Sequence, residues 1–308
     1  FFHNLSYLFL NRKNTPLEKL LWRIVSDGSE RFDTHFDLAV SYIEGGSAYY
    51  VHDHVSAAKK AAFIHVDYVQ AGYTRRLDKD CYVDFDRIFA VSDETAGVLA
   101  GVYPECQQKL SVFHNLIDTE AIRQKALLPA EKSMHEGIRL LTVGRLTPQK
   151  GFDCAVYALK LLLEKQYPVY WYIIGEGPEY GRLTQLARSL HVEDHFIFLG
   201  MQTNPYPYFK MADFYIHATR FEGKSIAIQE AQVLGCAIAA SDCSGNREQI
   251  VSGVDGLLCP FSPEGIANAV EYLIEHPQTA QSFGRAAAQK ACHFENDIHM
   301  IRDLLYSP

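Results

Sequence analysis

Short apolar runs alternate with amphipathic stretches along most of the chain. In the second half, Ile138–Val143, Val169–Ile174, Phe196–Leu199, Asp213–Ala218 and Ala237–Ala240 are each four to six residues long and rich in aliphatic and aromatic side chains. The first three run into Gly144, Gly175 and Gly200. Runs this short and this continuously apolar read as strands buried on both faces, whereas 152–165 and 179–190 carry helical spacing. The alternation predicts a parallel sheet covered on both sides and joined by right-handed crossovers.

The first half repeats the pattern less completely. Phe36–Tyr42, Ala61–Val66, Arg87–Val91 and Lys109–Phe113 read as strands, with a helix over Asp93–Gly101. Four strands make a thin doubly wound domain, and the chain opens Phe1-Phe2 with neither an initial strand nor a glycine-rich turn, so the first domain is expected to lack its opening strands. Residues 4–25 mix Leu, Tyr, Phe and Trp22 with Arg12, Lys13, Lys19 and Arg23 around Pro16. That stretch reads as a packed helix, with an amphipathic face lying on a membrane surface as the alternative. A hydrophilic segment with Pro129, Glu131, Lys132 and His135 follows. The expected organisation is an α/β chain with an incomplete Rossmann-like domain over 1–118, a linker and hinge over 119–137, a second Rossmann-like domain over 138–290, and a C-terminal helix over 291–308 returning to the first domain.

Composition narrows the partners. The 308 residues are 48% hydrophobic, enough for two packed cores, and carry a net charge of −8. Nothing suggests the broad basic surface that nucleic acid requires. Seven cysteines with no Cys-x-x-Cys spacing read as thiols of a reducing, cytosolic compartment, with structural roles for Cys236, Cys243 and Cys259. No apolar stretch is long enough to span a membrane, so membrane contact would be peripheral, at the inner face.

In open α/β sheets, ligands bind beyond the carboxyl ends of the strands. The residues there are His65 in the first half and Arg145, Gly175, Gly200 and Glu222 in the second, expected to converge on a cleft between the two domains. Glu222 and Glu230 stand eight residues apart around a strand-to-helix corner. Backbone N–H groups of Gly223, Lys224 and Ser225 could hold a diphosphate there with the helix dipole behind them, Glu222 could reach a sugar and Glu230 a ribose. A glycine turn with two solvated glutamates accounts for the spacing alone. Arg145 and Lys150, five residues apart in the loop Gly144–Gly151, could neutralise a departing diphosphate, or form an ordinary basic turn. Ile173-Ile-Gly-Glu-Gly-Pro178 lacks the third glycine and the later acidic partner of a nicotinamide site, which is rejected. His65, ending an apolar strand, reads either as a hydrogen-bonded structural residue or as a cleft residue that contacts sugar hydroxyls.

Taken in order, Gly144-Arg145-Leu146-x4-Gly151, Ile174-Gly-Glu-Gly-Pro178, Phe198-Leu199-Gly200, Phe221-Glu222-Gly223-x-Ser225-x4-Glu230-Ala231 and Gly253-Val-Asp-Gly-Leu-Leu258 closely resemble retaining glycosyltransferases of family 4, which have the GT-B fold. The first half is similar to the acceptor domain of the bacterial polysaccharide members through Asp37–Tyr42, Ile64–Tyr68, Ala90-Val-Ser92 and His114–Asp118. The resemblance implies that Arg145 and Lys150 bind the diphosphate, Glu222 the donor sugar, Gly223 to Ser225 the phosphate and Glu230 the ribose. It further implies that His65 faces the transferred sugar and that the base lies by Leu199, Gly200 and Met201. It implies no metal and no cofactor besides the nucleotide-sugar donor, and a saccharide or lipid-linked saccharide acceptor in cell-surface polysaccharide synthesis. A GT-B phosphorylase or synthase, and a non-catalytic nucleotide-sugar-binding remnant, are the alternatives. The absent opening strand and glycine-rich loop put catalysis by this chain itself in question.

Overall fold

The structure, a computed structural model, describes residue 22 and residues 28–291 and 297–306. Apart from Trp22, the amphipathic stretch expected over 4–25 lies outside the described residues. Two compact units are present, one running up to Leu116 and resumed by the C-terminal helix Ile298–Tyr306, the other starting at Ile117.

The first unit holds a parallel sheet in the order β1 (His35–Ser41), β2 (Ser56–Ile64), β3 (Arg87–Ala90), β4 (Leu110–Val112). Alternate residues of β2 serve opposite faces, as a strand's period of two requires. Ala62 and Ile64 pack with Tyr49 and Leu99 of the helices Gly46–His54 and Asp93–Val102, while Ala61 and Phe63 pack with Phe89, Phe113 and Leu304. The second of those helices starts where its sequence says it should, with Ser92 Oγ accepting from Thr95 N at 3.1 Å and Asp93 and Glu94 in the first turn. β2 begins at Ser56, ahead of the expected Ala61. Lys59 and Lys60 interrupt the apolar run but still pair with Leu38 and Ala39, because their ammonium groups reach the carbonyls of Leu304 and His52 at 3.1 and 3.0 Å.

The second unit is a six-stranded parallel sheet in the order β10-β9-β8-β5-β6-β7. Its strands are β5 (Ile138–Val143), β6 (Val169–Ile174), β7 (Phe196–Gly200), β8 (Phe214–His217), β9 (Ala237–Ser241) and β10 (Leu257–Cys259). β10 leaves no trace in the sequence pattern, since three residues at the end of a glycine-containing turn give no strand-length signal. One face carries Leu140, Trp171, Ile173, Ile216 and Ala239 against the helices Phe152–Glu164 and Pro263–Glu275; the other carries Leu141, Tyr172, Tyr215 and Ile238 against the helix Ile226–Val233. The buried indole of Trp171 donates to Thr142 Oγ1 at 2.9 Å, and Thr142 Oγ1 donates to Ile216 O at 2.7 Å, so both of these buried polar groups are paired. The chain starts at β5, winds outward through β6 and β7, then returns to β8 on the other side of β5. Connections therefore diverge between β5 and β8, which opens a crevice at the carboxyl ends of those two strands.

The segment 119–137, expected as a linker and hinge, is packed onto the second unit. Asp118 caps a helix over Thr119–Lys125 by accepting from Ala121 N at 2.9 Å, and Ile122 is buried with Val233 and Ala291. Further on, the Lys132 and His135 amides donate to the hydroxyls of Tyr208 and Tyr172 at 3.0 and 2.6 Å. Its polar composition describes the outer face only; a few apolar anchors fix the segment.

Candidate functional site

The two loops that leave the switch point carry the residues singled out from the sequence. After β5 comes Gly144–Gly151, and after β8 comes Ala218–Ser225. They are stitched together through Gln149, whose carbonyl accepts from Arg220 N at 2.8 Å and from Thr219 Oγ1 at 3.1 Å, and whose side-chain amide donates to Phe221 O at 2.9 Å. Gly151, at φ +63°, lies so close to the second loop that a Cβ would stand 2.2 Å from Ala218 O.

This stitching sets Lys150 against Glu222 in an ion pair between side chains only 19% and 11% exposed. Burial alone would raise the Glu222 carboxyl, but the hydrogen bond from His217 and the nearby Lys150 charge outweigh it and hold the pKa at about 2. Both donors meet the same oxygen: Lys150 Nζ and, at 3.4 Å, His217 Nε2 contact Oε2. Among the described residues no partner is found for Oε1. Arg145 lies on the same loop as Lys150 and is exposed.

The helix Ile226–Val233 begins directly after Glu222 to Ser225, with Ser225 Oγ accepting from Ile228 N at 3.5 Å. Gly223 and Ser225 are buried and Lys224 half-buried. The loop rests on Gly245, where a Cβ would come within 2.1 Å of Gly223 O and 2.3 Å of Glu222 O. Further along the helix, Glu230 Oε1 accepts from the Tyr206 hydroxyl at 3.0 Å. Burial raises the Glu230 carboxyl, with the Tyr206 hydrogen bond opposing it. Tyr215 feels both carboxylates; burial first, then Glu230 and Glu222, push its hydroxyl far above the usual range.

A cavity of 520 Å³ adjoins these loops, lined by Gly175, Gly177, Tyr180, Phe198, Leu199 and Gly200 together with Glu176. Its floor depends on two glycines. A Cβ at Gly175 would stand 2.0 Å from Gly144 O, and one at Gly177 would stand 2.4 Å from Leu146 O. Met201 follows the lining residues and is 71% exposed.

Within the second unit the structure thus gathers Gly144, Lys150, Glu222 and Gly223 to Ser225 around one switch point, with Glu230 and the glycine-lined cavity on the neighbouring elements. His65 belongs to the first unit. It follows β2, donates its backbone N–H to Glu44 Oε2 at 3.0 Å, and sets its ring edge-on to Tyr42 at 5.1 Å. Sequence reasoning passed over His217, Tyr206, Gln149 and Gly245. His217 did leave a signal, since a histidine closing an apolar strand five residues before Glu222 satisfies the rule that singled out His65. Tyr206 and Gly245 left none. Among the described residues no three metal-type ligands cluster, and no helix is long and apolar enough to cross a membrane.

The family model for glycosyl transferases group 1 matches residues 123–290, more than half of the chain, and the protein belongs to that family. A curated relative is an N-acetylgalactosamine-N,N'-diacetylbacillosaminyl-diphospho-undecaprenol 4-alpha-N-acetylgalactosaminyltransferase of Campylobacter jejuni, 30% identical over 200 residues that cover 64% of this chain and 53% of that protein. An uncharacterized glycosyltransferase of Haemophilus influenzae is 32% identical over 158 residues, covering 49% of this chain and 44% of the other. The chain spans about half the length of the curated relatives it matches. Among solved structures, a glycosyltransferase from Rickettsia africae superposes with a TM-score of 0.72 at 17% identity over 96% of this chain and 84% of that one. Sucrose-phosphate synthase from Thermosynechococcus elongatus gives 0.73 at 16% identity over 88% and 74%. The fold is therefore the α/β, parallel-sheet GT-B class of these enzymes.

Proposed function

We propose that the protein transfers a hexose-type sugar, with retention, from a nucleoside-diphosphate donor to a saccharide or lipid-linked saccharide. The observation that carries this reading is the Lys150–Glu222 pair at the switch point of the second sheet. A cation and a carboxylate in contact, beside the start of a helix, offer complementary partners for the two halves of a sugar diphosphate. Lys150 and Arg145 take the phosphate oxygens and Glu222 takes a sugar hydroxyl.

Breaking the bond between sugar and diphosphate leaves negative charge on the diphosphate and oxocarbenium character on the sugar. The groups that stabilise the departing charge are Lys150, Arg145 and the backbone at Gly223 to Ser225, fixed in place before the reaction by the Gln149 stitching. Glu222, held ionised at about 2 by its partners, keeps its negative charge at neutral pH and faces the positive character that develops on the sugar. Glu230 is assigned to the ribose and the cavity at Leu199 and Gly200 to the base. His65, on the first unit, is assigned to the transferred sugar, and no metal is invoked. The relative that acts on a diphospho-undecaprenol saccharide supports a lipid-linked acceptor.

The test is a panel of nucleoside diphosphates and nucleotide-sugars, screened by thermal shift and calorimetry and followed by a radiolabel transfer assay with anomeric analysis of the product. Binding of a nucleoside diphosphate together with α-linked product from an α-linked donor is the expected result. Product of inverted configuration sinks the retaining assignment, and failure of every nucleotide to bind sinks the reading as a whole.

A further inference from the structure

His217 lies behind the Lys150–Glu222 pair, where neither the diphosphate nor the sugar assignment uses it. It is 2% exposed and closes β8. Its two ring nitrogens face different chemistry. Nε2 stands 3.4 Å from Glu222 Oε2, and Nδ1 stands 3.1 Å from the Tyr215 hydroxyl, the two rings being on one face of the strand with their planes inclined at 27°. An ionised carboxylate can only accept, so the nitrogen facing it must be the donor. The tyrosine hydroxyl can give or take, and of its two neighbours Nδ1 at 3.1 Å is closer than Val143 O at 3.5 Å, so Nδ1 can be the acceptor.

We propose that His217, carrying a single proton on Nε2, is a positioning residue that fixes the Glu222 carboxylate by binding Oε2, so that Oε1 is the oxygen presented to the donor sugar. The inference rests on the reading of Glu222 as the sugar ligand. Tyr215 completes the arrangement: its buried hydroxyl stands nearer to Nδ1, at 3.1 Å, than to Val143 O, at 3.5 Å, and with Nε2 committed to the carboxylate the hydroxyl's one proton is assigned to Nδ1, which selects the Nε2–H tautomer. With Lys150 and His217 both on Oε2, rotation of the carboxylate about its terminal bond would break two contacts at once. Glu222 is thereby preorganised without any contact between His217 and the ligand. Burial first, and the neighbouring Lys150 charge, lower the His217 pKa, consistent with a ring that stays neutral next to a cation.

The experiment has two parts. In the full chain without ligand at pH 7.5, ring nitrogen shifts of ¹⁵N-labelled histidine are assigned to His217 by difference from His217→Gln. Protonated Nε2 with unprotonated Nδ1 is expected; an Nδ1–H tautomer or an imidazolium overturns the proposal, whatever the protein turns out to catalyse. Next, affinities for the nucleoside diphosphate and for the intact nucleotide-sugar found in the ligand screen are compared across variants. His217→Leu, which removes the donor, should weaken nucleotide-sugar binding by roughly 10-fold, about one charge-assisted hydrogen bond, and leave the free diphosphate within about twofold. His217→Gln, whose amide can reach the position of Nε2, should recover most of that loss. Equal weakening of both ligands by His217→Leu, or no recovery with Gln, means that His217 serves the fold alone. If the tautomer is as expected but no nucleotide binds even to the unaltered chain, the reading of Glu222 has failed and the positioning role fails with it.

Discussion

Lys150 and Glu222 are 72 positions apart in the chain, yet their charged ends meet in a niche that leaves each less than one-fifth exposed. Neither could be buried alone at acceptable cost, since an unpaired charge in that setting loses its hydration without replacement. Bound to each other, they can open toward a ligand carrying both an anionic and a hydroxyl end. The pair is therefore at once a structural feature and the centre of the proposed chemistry, and its variants separate the two roles.

Lys150→Ala removes the cation and strands a buried carboxylate. We expect a loss of stability on the order of 2–3 kcal/mol at neutral pH and a fall in transfer of about 100-fold. Adding Glu222→Gln to Lys150→Ala should restore most of the stability, because the stranded charge is gone, but none of the transfer. Arg145→Ala, at an exposed position, should cost a similar factor in transfer with its stability nearly unchanged. Denaturant melts and steady-state kinetics on the four proteins check this; near wild-type kcat/KM for Arg145→Ala would contradict the diphosphate assignment.

Glu230→Gln should have opposite effects on stability and binding. Burial raises the Glu230 carboxyl, so the folded state carries a penalty for its charge at neutral pH, and an uncharged acceptor can still receive the Tyr206 hydroxyl. The variant should melt slightly higher, by up to about 2 °C, while binding the nucleoside diphosphate less well. Glu222→Gln should spare binding of the free diphosphate. Calorimetry decides between separate and shared roles, and equal weakening by both changes would show that the ribose assignment is wrong.

Gly245→Ala places a methyl group against the carbonyls of Glu222 and Gly223 and must displace the loop that those residues form. The expected result is weakened nucleotide binding with a destabilisation of about 1–3 kcal/mol. Gly181→Ala, in the helix Tyr180–Ser189, meets nothing within 4 Å and should instead stabilise by roughly 0.5–1 kcal/mol. Thermal melts with and without nucleotide test the contrast; unchanged affinity in Gly245→Ala would mean that the loop does not hold phosphate.

Acid should destabilise the protein in two stages. The folded His217 pKa lies below its ordinary 6.5, so protonation favours the unfolded chain and stability falls as pH drops below 6.5. For Glu222 the folded pKa is about 2 against an ordinary 4.5, so its contribution is complete above 4.5 and drains as pH falls toward 2. Urea melts between pH 8 and 3 should show both losses in the wild type. His217→Gln should abolish the upper one and leave the lower; an unchanged upper step would show that another group is responsible.

How much of this was legible in advance differs element by element. Val169–Ile174 is readable as a strand from six consecutive apolar positions, and β6 has the same bounds, because all of its side chains except that of Tyr170 are buried. β2 was read too short because Lys59 and Lys60 are charged, and only the carbonyls of Leu304 and His52 explain how they sit in a sheet. The polar segment 119–137 shows a related effect: what holds it down is Ile122 and two tyrosine hydroxyls, a handful of contacts that composition averages away.

The sequence by itself determined the alternation of strand and helix, and with it a parallel sheet with candidate chemistry at the strand ends, since hydrophobic period and glycine placement are local properties of the chain. It also put Arg145, Lys150, Glu222 and Glu230 forward by type and position. Only the tertiary structure decided that β8 lies beside β5, which makes the loops after those strands neighbours, and that Lys150 pairs with Glu222. The same holds for His217, Tyr206 and Gly245. Their parts depend on distances of 2 to 4 Å between residues five to tens of positions apart, and such distances are fixed by strand order and packing, which no local pattern encodes.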